Sequence, residues 1–66
     1  MDNIIISVHW HNTHNQHREF PTKEDAINFV RTRRARYPQM KGWYIIINSG
    51  YPEYKHLETI MGRDIV

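Results

Sequence analysis

The 66-residue chain contains no cysteine, so neither a disulfide framework nor a thiolate metal site can support it. It has no apolar run near the eighteen or so residues that a membrane-spanning helix needs, and no cationic, apolar, small-residue leader. The expectation is a cytoplasmic protein. Three glycines and three prolines punctuate the chain without making any segment low in complexity, and no internal repeat is visible. Glycine-rich phosphate cradles, nucleophile elbows and paired-carboxylate spacings are also missing. A hydrolytic or ribonuclease-like reading would rest on a lone histidine with a second acid or cation, such as His56 with Glu58. A non-enzymatic protein without a cofactor is therefore expected. Nor is the charge strongly one-sided: nine Lys plus Arg against seven Asp plus Glu give +2, well below the clustered excess of committed nucleic-acid binders.

A chain of this length supports one domain, residues 1–66, because it buries only roughly 60% of the surface its unfolded form exposes. Within it, the stretch GWYIIINSG, Gly42 to Gly50, places five large apolar residues in a row between turn signals, as in a strand covered on both faces. IIISVHW, Ile4 to Trp10, is also strand-like, with Ile4, Ile6, Val8 and Trp10 on one face and Ile5, Ser7, His9 and His11 on the other. HNTHN, His11 to Asn15, reads as the turn of a hairpin onto a polar second strand ending at Phe20. Thr22 followed by Asp25 is a capping-box-like start, and Pro38 forbids helix beyond Tyr37, so a helix is predicted from Lys23 to Arg36. Ala26, Val30 and Tyr37, flanked by Ile27 and Phe29, form its apolar stripe. A last strand is expected over Glu53 to Met61, with Leu57 and Met61 inward and Tyr54, His56 and Glu58 outward.

The polar second and charged fourth strands suit edges, and the apolar first and third suit the middle. The predicted fold is α+β: an antiparallel four-stranded ββαββ sheet in order 2-1-3-4 with one helix on one face. One helix cannot cover two apolar faces. With Trp43, Ile45, Ile47 and Leu57 placed under the helix, the opposite face would carry Ile5, His9, His11, His17, Tyr44, Ile46, Tyr54 and His56. Mixed aliphatic, aromatic and imidazole groups of this kind suit burial against a protein partner or a second copy of the chain. Ile5, His9, His11, Tyr44, Ile46, Tyr54 and His56 are the candidate protein-binding residues.

RTRRAR, Arg31 to Arg36, is the one local concentration of charge. As a nucleic-acid footprint it would use Arg31, Arg33, Arg34 and Arg36 with Tyr44 for stacking. On a helical wheel these arginines spread over more than half the circumference, and cations in the last turns also complement the helix dipole. His9 and His11 have a spacing that some metal sites use, with Glu19 and Glu58 as further donors, but ordinary surface histidines account for the same pattern, so no metal site is expected.

Thr22, Lys23, Glu24, Asp25 and Ala26, followed by Trp43 to Ile47, give a pattern that resembles small bacterial and phage domains of unknown function, built as a hairpin, a helix opened by T-K-E-x-A, and a second hairpin. The size and layout also look like small phage proteins that bind and inhibit a host enzyme. The histidine-rich first hairpin departs from the pattern, so no binding residues carry over. What the resemblance implies is an inhibitor or regulator of a host protein; the alternative is a small basic nucleic-acid binder using the arginine-rich helix end.

Overall fold

The computed structural model describes residues 3–65. Strand β1 (Ile4–Asn12) and strand β2 (His14–Phe20) form a hairpin, helix α1 (Lys23–Arg36) follows, and β3 (Lys41–Ser49) and β4 (His56–Met61) form a second hairpin closed by a 3-10 turn, Gly62–Asp64. All four strands lie in one antiparallel sheet of order β2-β1-β3-β4. This is the ββαββ arrangement that the polarity of the strands demands, with the polar strands at the edges.

The helix begins where its local chemistry starts it. Thr22 is extended (φ −136°) and its hydroxyl accepts from the Asp25 backbone N–H at 3.1 Å, satisfying one orphan donor of the first turn. At the other end the Tyr37 N–H donates to Arg33 O, and Pro38 follows. Between these ends, Ala26 and Val30 are fully buried against the sheet.

The core lies between the helix and one face of the sheet: Ile6, Val8 and Trp10 from β1, Trp43, Ile45 and Ile47 from β3, with Phe20, Ile27, Phe29, Met40 and Ile60 packed around them. Trp10 and Trp43 stack at 5.2 Å, and Phe29 closes on both rings. Ile65, in the tail whose position the sequence left open, is buried as well. It is held there by Arg34, whose guanidinium donates to Gly62 O and Ile65 O, each at 2.5 Å. The turn comes so close to β3 that a Cβ on Gly62 would lie 2.7 Å from the Trp43 Cβ and carbonyl oxygen.

Two bulges break the regular alternation. Gly42, at φ +70°, sits on β3 opposite the irregularity between His9 and His11, a conformation that favours glycine. In β4, Ile47 pairs with Glu58 while Asn48 pairs with His56, so Leu57 is an extra residue. This overturns the expected inward set. Leu57 and Met61 are exposed, Ile60 takes the core position opposite Ile45, and Glu58 turns to the helix side, where it meets Lys23 at 3.4 Å. Ile4, also expected in the core, is 54% exposed, because the helix starts at the Phe20–Ile6 row and leaves the Ile4–Ser49 row without a lid.

Candidate functional site

The face of the sheet opposite the helix has no covering element among the described residues. Because directly paired residues of neighbouring strands project to the same side, the strand register lays its side chains out in rows. One row runs His17, His9, Tyr44, Met61 across all four strands. The next runs Glu19, Ser7, Ile46, Thr59, and a third runs Ile5, Asn48, His56. Ile5, Tyr44 and Ile46 are each half-buried by their neighbours in these rows.

The first row is a stack of rings. His9 lies 5.0 Å from Tyr44 with only 5° between the planes, and 5.5 Å from His17 at 22°. Its Nε2 is 3.0 Å from the Ser7 hydroxyl. Sandwiched in this way, the His9 imidazole loses hydration, and burial first, then the charge of His17, holds its pKa below the ordinary histidine value of 6.5. Neutral His9 therefore behaves as a flat, weakly polar plate near pH 7.

Of the residues singled out for protein binding, Ile5, His9, Tyr44, Ile46 and His56 lie on this face, and His56 keeps its side only because the Leu57 bulge offsets the strand. His11 lies at its end, beside Asn15 at 3.2 Å. Tyr54 does not belong to the face: β4 begins at His56, and Tyr54 sits in the preceding turn at φ +54°, with its ring against Tyr51. Sequence reasoning missed the apolar end formed there. Ile4, Tyr51 and Leu57, all more than half exposed, line an open hollow of about 430 Å³ with Pro52 and Lys55. The signal available was the pair of tyrosines flanking a Pro turn, the second of which, Tyr54, alternation alone assigns to a strand.

The five residues proposed for nucleic acid do not converge as a set, although Arg33 and Arg36 share the Tyr37 ring. Tyr44 is on the open face, whereas the helix lies on the other side of the sheet. Arg34 is engaged with the C-terminal turn, Arg31 lies 3.4 Å from Asn28, and Arg33 and Arg36 stack on Tyr37. Among the described residues, no group of three or more His, Asp or Glu side chains is arranged to hold a metal ion. His56 meets the Thr59 hydroxyl at 2.6 Å, while Glu58, its expected acidic partner, is on the opposite face. Among the described residues no helix is long and apolar enough to cross a membrane. No family model, curated protein or solved structure matches this chain.

Proposed function

We propose that this protein is a small non-enzymatic interaction module that docks on another protein through the open face of its sheet, in the manner of a phage-type inhibitor or regulator of a host protein. The observation that supports this reading is a single surface on which Ile5, Ile46, Tyr44 and a neutral His9 adjoin one another with no lid among the described residues. Contiguous apolar and aromatic groups rimmed by polar ones, here Glu19, Asn48 and Thr59, are the pattern of a protein-binding patch. Rigid aromatic anchors such as Tyr44 contribute most of the energy at such surfaces.

The test compares capture by the wild type with capture by a Tyr44→Ala, Ile46→Ser double variant, using bacterial lysate and sedimentation of the purified protein. A stoichiometric protein bound by the wild type and by Arg33→Gln, but lost from the double variant with its helical circular dichroism intact, supports the open face. A concentration-dependent dimer abolished by the same double variant makes the partner a second copy. Capture that survives the double variant would overturn the proposed surface.

A further inference from the structure

On the helix side, away from the open face, three arginines are interleaved with aromatic rings along the flank between α1 and the β2 edge. The Arg18 guanidinium carbon lies 5.5 Å from the centre of the Phe20 ring and 5.7 Å from that of Phe29. Arg33 lies 5.3 Å from Phe29 and 5.6 Å from Tyr37, and Arg36 lies 5.7 Å from Tyr37. Phe29, Arg33, Arg36 and Tyr37 fall on one stripe of the helix, and Arg18 joins it from β2 because it pairs with Val8 on the covered face. The rings are thus shared, with Arg18 and Arg33 over Phe29 and Arg33 and Arg36 over Tyr37.

Two features of this flank call for an anion. First, the three guanidinium groups share rings, and none of them is in an ion pair among the described residues, where the pairs are Lys23–Glu58 and Lys55–Glu53. Like charges held together destabilise the fold by mutual repulsion, which a bound anion would relieve. Second, a guanidinium lying on a ring keeps its N–H donors in its own plane, pre-oriented for the paired acceptors of a phosphate. The nearest acidic residue on the stripe is Asp25, one turn before Phe29 and in the first turn of the helix.

We infer that the Arg18–Arg33–Arg36 flank binds the phosphodiester backbone of nucleic acid without reading its bases. The rings are already covered by guanidinium groups, so base stacking on them is not available, and the contacts are to phosphates. The inference does not depend on docking at the open face, which is on the other side of the sheet.

The experiment is fluorescence anisotropy with a labelled 20-nucleotide single strand of thymidines, and separately a duplex, titrated with wild-type protein at 50 and 200 mM salt. Three phosphate contacts on a single strand give a fall in affinity of about 20-fold over that fourfold change in salt; removing one reduces the fall to about sevenfold. Arg18→Gln and Arg33→Gln are each expected to weaken binding and flatten its salt dependence to that degree. Arg36→Gln, at the exposed helix end, makes the same test where a packing defect is least expected. Lys55→Gln, an equal charge change at the far turn, should leave both unchanged. The inference is overturned if nothing binds at 50 mM salt or if Lys55→Gln weakens binding as much as the arginine variants. It is equally overturned if polyglutamate competes as well as the oligonucleotide, since the flank would then be a site for acidic polypeptides.

Discussion

The two faces of the sheet are made by the same strands, residue by alternate residue, and they end in different states. Ile45 is fully buried beneath the helix, while Ile46, its neighbour in β3, is half-buried among side chains of its own sheet. The covered face is closed by three things at once: the helix, the Trp10–Trp43–Phe29 cluster and the C-terminal turn that Arg34 fastens down. Opposite it, among the described residues, there is only the lateral packing of the rows. Identical chemistry in adjacent positions therefore contributes to stability on one side and remains available for contact on the other.

The sharpest break of this contrast is a pair of matched truncations. Ile45→Ala should cost about 3–4 kcal/mol, a large share of the roughly 3–10 kcal/mol expected for a domain of this size, because the cavity it leaves is walled in on every side. Ile46→Ala should cost about 1 kcal/mol, since water already reaches part of the side chain it removes. Urea unfolding of the two variants measures both. Equal costs would mean that something in solution lids the open face, a second copy first among the candidates.

Much of the covered face was legible in the sequence, and the exceptions have physical causes. The helix over Lys23 to Arg36 is legible between Thr22 and Pro38 because cap and breaker chemistry is local, needing only residues a few positions apart. Strand order followed from polarity, since the burial demanded by β1 and β3 differs so plainly from that of β2 and β4. Alternation failed in β4. One extra residue at Leu57 changes the parity of everything after it, and whether a strand bulges is decided by its partner's register and not by its own composition. Ile4 has the parity of a core residue, but no local signal tells where the helix's lid stops. The burial of Ile65 depends on a hydrogen bond from Arg34, a residue 31 positions away, and nothing in a tail of three or four residues announces that.

That hydrogen bond gives the second test. Arg34→Ala should destabilise the protein by about 2 kcal/mol, the worth of a charge-assisted pair of bonds to the Gly62 and Ile65 carbonyls. Its local signature is faster hydrogen exchange at the Ile65 amide, which donates to Gly62 O at 3.1 Å. Arg34→Lys should recover only part of the loss, because one ammonium cannot hold the two carbonyls in the plane of a fork. Binding at the open face should be untouched, as Arg34 and the turn lie on the other side. If Arg34→Ala instead abolished partner capture without changing stability, the C-terminal turn would belong to the interface.

The smallest effect expected is a pH dependence, and it belongs to the open face alone. His9 is surrounded there by His17 and Glu19 of β2, His11 of β1 and Tyr44 of β3, and its pKa is depressed by burial and then by His17. Above about pH 7 the imidazole is neutral in both the folded and the unfolded chain, and it contributes nothing to the pH slope. As the pH falls through 6.5 the unfolded chain takes up the proton first, so the folded state loses stability until its own lower pKa is passed. His9→Gln should flatten the decline in thermal midpoint between pH 7 and pH 5.5. The same variant should flatten any pH dependence of partner binding, since protonating His9 turns the middle of the ring stack into a cation facing the partner. A decline in stability that is unchanged in His9→Gln would place the responsible group elsewhere, and would mean that the stack is more hydrated than its 5.0 Å spacing from Tyr44 implies.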